Sequence, residues 1–219
     1  KRGSPLCVGA PEMSYGSMPI DDGHLALTED EAEELLRESP DLAPFVRRYI
    51  GGEEFLNGGR RFCLWLVDCN PGRLRRSPKA MARVEATRAF RLSSGRPQTR
   101  VLADTPTLFG EIRQPAEEYL FVPKVSSENR AYIPIGLCAP SVVASGSGLV
   151  VAGASVYHFG VMQSVMHMAW MRAVCGRMKS DYQYSATLVY NNFPWPEPTD
   201  KQRAAIEAAA QSVLDVRAA

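Results

Sequence analysis

Four short runs, EYLFVPKV (Glu118–Val125), RAYIPIGL (Arg130–Leu137), SVVAS (Ser141–Ser145) and GLVVAGAS (Gly148–Ser155), decide how this chain folds. Each is rich in the β-branched or aromatic residues that favour a pleated backbone, and each is bounded by Pro, Gly or Ser. They read as a meander of strands joined by turns. Helical patterns flank them on both sides. Upstream, LTEDEAEELLRESP carries a capping box of Thr28 and Glu31, acids in its first turn, and Pro40 as its stop. DLAPFVRRYIGG reads as a second short helix ended by Gly51 and Gly52, and RRFCLWLVD as a buried strand before the turn NPG. From Pro78 to Leu92, Met81, Val84, Thr87 and Phe90 recur at near-helical spacing while arginines occupy the other faces. Downstream, His158–Met178 reads as one long apolar helix and YQYSATLVY (Tyr182–Tyr190) as a closing strand. Thr199 and Gln202 make a capping box that starts an alanine-rich C-terminal helix. The order of elements predicts an α+β fold: a short-stranded mixed or antiparallel sheet with packed helices, plus the C-terminal helix.

A chain of 219 residues is long enough for one main domain with a sizeable core. With 45% hydrophobic and 22% charged residues it excludes wholesale disorder. No signal peptide opens it, and the longest weakly polar run, GLVVAGASVY, falls short of the roughly 18 residues a membrane span needs. A cytoplasmic protein with no membrane partner is expected. The opening KRGSPLCVGAPEMSYGSMP lacks an initiator Met and reads as an internal start, as in a piece of a longer polypeptide. Cys7, Cys63, Cys69, Cys138 and Cys175 are odd in number and form no Cys-x-x-Cys pair, which predicts buried thiols, not disulfides or a zinc site.

Charge is unevenly distributed. Six acids (Glu29, Asp30, Glu31, Glu33, Glu34, Glu38) face Arg37 alone between Thr28 and Ser39. Between Gly72 and Arg100 stand Arg73, Arg75, Arg76, Lys79, Arg83, Arg88, Arg91, Arg96 and Arg100 against Glu85. A basic cluster of this kind is either an electrostatic footprint for a polyanion or a solvated helix face.

Several catalytic classes find no support. ASGSGLVVAG lacks the spacing of a nucleotide-binding loop and is expected to be a turn between strands. His24, His158 and His167 have neither metal-ligand spacing nor a nucleophile neighbour, and no acids are spaced with a lysine as a nuclease requires. NNFPWP (Asn191–Pro196) looks like a scrambled copy of the Asn-Pro-Pro-Tyr/Phe motif with which amino-methylating enzymes hold a flipped base. Here Phe193 separates Asn192 from Pro194, so the stretch reads instead as a rigid exit, stiffened by Pro194, Pro196 and Pro198 and pinned by Phe193 and Trp195.

Three separated blocks carry a resemblance: GSMPIDDGHLALTEDEAEELLRESPDLAPFVRRYIGGEEFLNGGRRFCLWL, VPKVSSENRAYIPIGL and MHMAWMRAVCGRMKSDYQYSATLVYNNFPWPEP. From about Gly16 to Pro198 the chain resembles the target-recognition portion of the MmeI-like single-chain type II restriction–modification enzymes. The resemblance implies a polypeptide with a nuclease domain, a helical connector, an N6-adenine methyltransferase domain, a target-recognition domain and a C-terminal helical segment. Residues 1–15 would then be a linker from the methyltransferase domain of the same polypeptide, 16–198 the recognition domain, and 199–219 the start of the last segment. Double-stranded DNA is the implied partner. S-adenosylmethionine and Mg²⁺ are implied for the parent enzyme, with no cofactor and no catalytic residue in this chain.

The same resemblance implies that two side chains one residue apart, just after Cys-Gly-Arg, discriminate a base pair; here they are Lys179 and Asp181. Lysine donates to guanine O6 and N7 and aspartate accepts from cytosine N4, so the two can read both halves of a G·C pair. The resemblance adds Gln183 and Ser147 at a neighbouring position. In the loop SSENR, Ser126, Ser127, Asn129 and Arg130 offer donors for phosphate or base contacts, while Glu128 must accept from a base or orient an arginine. Arg172 and Arg177 are read as projecting from the long helix toward phosphate, Arg177 alternatively capping it. On the residues alone, a protein-interaction module and a small enzyme with an unrecognised site also remain open.

Overall fold

In a computed structural model, residues 9–218 are described. In chain order the elements are β1 (Met13–Tyr15), β2 (Ala26–Thr28), α1 (Glu29–Glu38), β3 (Val46–Ile50), α2 (Gly52–Asn57) and β4 (Arg61–Leu64). Next come α3 (Pro71–Arg75), α4 (Pro78–Ser93), α5 (Pro97–Val101), β5 (Tyr119–Pro123), β6 (Val125–Ser126), β7 (Gly136–Cys138), β8 (Val143–Ala144) and β9 (Gly148–Ala152). The last are α6 (Val156–Met162), α7 (Val165–Val174), β10 (Gly176–Met178), β11 (Asp181–Gln183) and α8 (Asp200–Ala218). The fold is α+β, as the element order predicts, with three small sheets in place of one.

Length alone suggests one main domain, but the chain divides into two compact units. One is formed by Gly16–Gln114 with Ser141–Gly146; the other by the described residues up to Tyr15, Pro115–Pro140 and the chain from Ser147 onward.

The Gly16–Gln114 unit is built on the sheet β2-β4-β3-β8, antiparallel except where β3 runs parallel to β8. Leu25, Leu27, Leu35, Leu42, Cys63, Leu64, Trp65 and Leu66 form its core. Thr28 caps α1 through Glu31 N while Glu31 accepts from Thr28 N, the reciprocal capping box the sequence predicts. DLAPFVRRYIGG is not a helix. Pro40–Phe45 is a 3₁₀ segment with Pro44 inside it, and Val46–Ile50 pairs as β3 because its β-branched and aromatic residues fit between β4 and β8.

The acidic and basic runs meet in this unit. Lys79 pairs with Glu34 and Glu38, Arg83 with Glu31, and Arg76 with Asp41. Arg83 also donates to the carbonyls of His24 and Ala26, both at 3.0 Å. Arg91 is wholly buried, and its guanidinium donates to five carbonyls, those of Pro19, Ile20, Leu102, Thr105 and Leu108, at 2.7–3.0 Å. Burial lowers its pKa, against a raising effect from Asp21. Four of the nine basic residues are thus committed internally. Arg75, Arg88, Arg96 and Arg100 are exposed and have no carboxylate partner among the described residues.

The second unit holds the antiparallel sheet β1-β9-β5-β7 and the three-stranded sheet β10-β11-β6. Every residue of β5 is buried, and Leu120, Val122, Leu149, Val151, Phe159, Met162, Met168 and Met171 fill the core. ASGSGLVVAG is the turn into β9, as expected, and its Gly148 has a packing reason: a Cβ there would lie 2.1 Å from Cε2 of Phe121. His158–Met178 is not one helix. Ser164 accepts from the backbone of His167 and so begins α7 separately from α6, and Gly176–Met178 is already strand. Tyr182–Tyr190 likewise splits, into the end of β11 and a π-helical turn at Ala186–Tyr190. α8 starts at the Thr199–Gln202 box, with Thr199 N donating to Gln202 Oε1 at 2.9 Å. Cys63 is buried, its thiol pushed up to about 12 by desolvation, while Cys69, Cys138 and Cys175 are partly buried; Cys7 lies outside the described residues. Among the described residues no helix is long and apolar enough to cross a membrane.

Candidate functional site

Lys179, Asp181 and Gln183, Arg177, and the loop SSENR all lie on or beside the three-stranded sheet, whereas Ser147 precedes β9 and Arg172 lies on α7. β10 and β11 form a hairpin closed by the pair Met178 and Asp181, which leaves Lys179 and Ser180 as its two-residue tip. The sequence reading placed this pair at a helix end; it sits on a strand turn instead. Helix α7 ends at Val174 because Cys175 and the residues after it adopt extended backbone and pair with β11. Lys179 takes φ 55°, a left-handed conformation that costs a side-chain-bearing residue roughly 1–2 kcal/mol and that glycine or asparagine normally fills.

Strand alternation sorts the side chains. Arg177, Tyr182 and Ser126 are in register across the three strands and share one face. Gly176, Met178, Asp181 and Gln183 share the other, where Met178 and Gln183 are exposed and Asp181 is half-buried. Gly176 leaves space for its neighbour: a Cβ would stand 3.3 Å from Gln183 Oε1. The hairpin therefore presents Lys179 at its tip, Asp181 behind it and Gln183 one pleat further on.

The loop SSENR leaves β6, the edge strand beside β11, so its side chains flank the hairpin. Glu128, Asn129 and Arg130 are exposed, and the loop is closed by Arg130 N donating to the Ser127 carbonyl and Asn129 N to Ser127 Oγ. Ser126, expected to offer a donor to DNA, is instead 2% exposed, with its hydroxyl buried opposite Tyr182 in the strand register, which withdraws it from any surface contact. Ser147 is exposed one residue before Gly148, which pairs with Pro123 just upstream of β6. Arg172 is exposed on α7 and donates to the Ala131 carbonyl. Arg177 caps no helix, since it lies within β10; its guanidinium carbon stands 4.1 Å from the Tyr182 ring centroid, and its Nη1 donates to the Ser180 carbonyl at 2.8 Å and lies 3.7 Å from Glu128.

A pair that sequence reasoning missed underlies this surface. Tyr184, adjacent to Gln183, is fully buried and hydrogen-bonds through its hydroxyl to His167 Nε2 at 2.9 Å. Desolvation pushes the His167 pKa down to about 4 and the Tyr184 phenol well up, so both are neutral. Its only signal is the alternation Tyr182-x-Tyr184, which places both rings in the interior on either side of an exposed Gln183.

NNFPWP is a rigid exit. Asn192 Nδ2 donates to the Thr187 carbonyl at 3.0 Å, and Phe193 sits edge-on to His167 at 4.5 Å and to Trp195 at 5.7 Å. Tyr157 donates to the Pro196 carbonyl at 3.2 Å and Tyr190 to that of Pro11 at 2.8 Å. A cleft of about 690 Å³ opens beside it, lined by Tyr157, His158, Trp195 and Arg203 among others. Among the described residues no three His, Cys, Asp or Glu side chains are placed to hold a metal.

The hairpin thus gathers a donor at its tip and further polar side chains on β11 over a buried aromatic base. Over residues 1–197 the chain matches the target recognition domain of MmeI, and it belongs to that family. A solved structure of the Type IIL restriction-modification enzyme MmeI in complex with DNA superposes with a TM-score of 0.93 at 42% identity, covering 100% of this chain and 29% of that one. DNA methyltransferase A of Bacillus subtilis (strain 168) is 39% identical over 207 residues, 94% of this chain and 24% of the relative. The chain thus spans less than a third of either protein.

Proposed function

We propose that this chain is the part of a single-chain restriction–modification enzyme that reads the sequence of duplex DNA, with methyl transfer and cleavage performed elsewhere in the same polypeptide. The observation that carries the proposal is the hairpin: in a member of the MmeI recognition-domain family, it brings together Lys179 and Gln183, both exposed, and Asp181, half-buried. Lys179 donates to guanine O6 and N7 and Asp181 accepts from cytosine N4, so the two specify a G·C pair, each good contact giving roughly 1–3 kcal/mol of discrimination. Gln183 and Ser147 serve a neighbouring position. Asn129, Arg130, Ser127 and Arg172 hold the register on the backbone.

In this reading residues 1–15 link to a methyltransferase domain, 16–198 recognise DNA, and 199–219 open a helical segment; residues 1–8 of the linker lie outside the described part. In the parent enzyme S-adenosylmethionine and Mg²⁺ belong to the other domains, and the enzyme works in the cytoplasm. The test is exchange of the pair. In the complete polypeptide, Lys179→Glu with Asp181→Arg converts donor to acceptor and acceptor to donor, so the methylated sites should carry C·G where the parent requires G·C. Retention of the parental recognition sequence by the double variant would overturn the proposal.

A further inference from the structure

The hairpin tip raises a physical problem that the reading above leaves unsolved. Lysine is a poor occupant of a left-handed backbone position, yet Lys179 stands there at φ 55° in a turn of only two residues. Left to itself such a tip would sample other conformations, and the direction of Lys179 relative to Asp181 would not be defined. Discrimination between base pairs needs that direction fixed, because bidentate contact with a base edge tolerates little displacement.

One side chain supplies the restraint. Arg177 stands two residues before Lys179 and stacks its guanidinium on Tyr182, whose ring is anchored in the core at 8% exposure. From that platform Nη1 donates to the carbonyl of Ser180, the second residue of the tip, at 2.8 Å. The same nitrogen lies 3.7 Å from Glu128, so the guanidinium also faces the neighbouring loop. Stacking, turn hydrogen bond and ion pair converge on one planar fork, a combination that arginine provides and lysine does not. Glu128 then has an explanation. An acid in a loop that flanks a DNA-reading hairpin is repelled by phosphate, but it is well placed to hold Arg177.

We infer that Arg177 is the positioning residue of the reading hairpin, not a phosphate contact, and that Glu128 is its partner. The inference rests on the proposed base-reading role of Lys179 and Asp181. Arg177 fixes where those two side chains point, through the Ser180 carbonyl and the Tyr182 ring, and touches no base itself.

The test uses Arg177→Ala, Arg177→Lys and Glu128→Gln in the complete polypeptide. The first readout is amide hydrogen exchange of the segment 177–184, which needs no DNA. Arg177→Ala and Arg177→Lys should both speed exchange at the tip at least tenfold while α7 and β6 remain protected, and Glu128→Gln should do so weakly. Unchanged exchange in Arg177→Ala overturns the inference whatever the DNA results are.

The second readout is binding to duplexes that carry either the preferred pair or its inversion, across a salt series. A positioning residue, when removed, lowers the preference between the pairs at least tenfold and leaves the slope of log K against log[salt] unchanged. A phosphate contact lowers that slope by about 0.9 and spares the preference, with Lys restoring it. That second pattern overturns the inference. The exchange of Lys179 and Asp181 serves as the separate control: if it leaves the recognised pair unaltered, the base-reading role fails, while the exchange data still decide whether Arg177 orders the tip. Should Arg177→Ala unfold, Arg177→Lys and Glu128→Gln give the same pair of readouts on folded protein.

Discussion

Acidification should weaken the unit that carries the β10–β11 hairpin, through His167. Its imidazole is fully buried against Tyr184 and Phe193, and among the described residues its Nδ1 has no hydrogen-bond partner. Burial holds its folded pKa at about 4, against about 6.5 for an exposed histidine. The sign follows from proton binding. Above pH 6.5 neither state is protonated and His167 makes stability independent of pH. Between 6.5 and 4 the unfolded chain takes up a proton that the folded one excludes, which costs about 1.4 kcal/mol per pH unit. Carboxylates titrate in part of the same range, and Glu31 and Glu34 are held below their usual values by Thr28 and Lys79, so the effect must be isolated as a difference. His167→Gln keeps a polar group toward the Tyr184 hydroxyl without titrating. Urea unfolding of both proteins at pH 7.5, 6.5, 5.5 and 4.5 should give a stability difference that is constant down to 6.5 and then shifts against the parent by about 1.4 kcal/mol per unit. A difference that stays flat to pH 4.5 would refute the reasoning, since it would mean that His167 is protonated or solvated in the folded state.

Two further substitutions test the packing logic. Arg91→Met should destabilise the Gly16–Gln114 unit by about 3–5 kcal/mol, because a buried guanidinium is lost and five part-buried carbonyls lose their donor at once; a loss below about 1 kcal/mol in urea unfolding would mean that water replaces the guanidinium at little cost. Gly148→Ala should cost about 1–3 kcal/mol through the clash with Phe121, and Phe121→Leu in the same protein should recover part of it; additive losses in the double variant would refute the assigned contact.

What the sequence disclosed depended on how local each cause was. The Thr28–Glu31 and Thr199–Gln202 boxes are satisfied within four residues, and both form as predicted. VRRYI was misread because its strand character is realised only by pairing with β4 and β8, segments distant in sequence, while the following Gly-Gly imitated a helix stop. The apolar period from His158 onward continues across the break at Ser164, so only a cap inside an otherwise helical pattern marks it. At the recognition surface the family resemblance singled out Lys179, Asp181, Gln183 and Ser147, but the tip lacks the Asn-Gly or Gly signature from which a two-residue turn is normally read. The roles of Arg177 and Tyr184 were not legible, because a stacking platform and a buried phenol–imidazole pair depend on strand register.

Charge gives the sharpest case of this dependence. Read along the chain, nine basic residues between Gly72 and Arg100 look like a surface for a polyanion. In the fold, Arg76, Lys79 and Arg83 meet acids that precede them by 35 to 52 positions, and Arg91 is spent on backbone carbonyls. Any contact of these side chains with a polyanion would exchange one partner for another, and so would add less to a salt-dependent affinity than contact by an unpaired cation. The exposed pairs also contribute little to stability, at about 0–1 kcal/mol each. Their effect is on arrangement: opposite charges bring α1 and α4 together in one register, as like charges would not. Of the basic run, Arg75, Arg88, Arg96 and Arg100 remain exposed, and Arg73 stands 5.7 Å from the Phe45 ring. Composition counts a charge wherever it falls; a polyanion meets only those that the protein has not already neutralised.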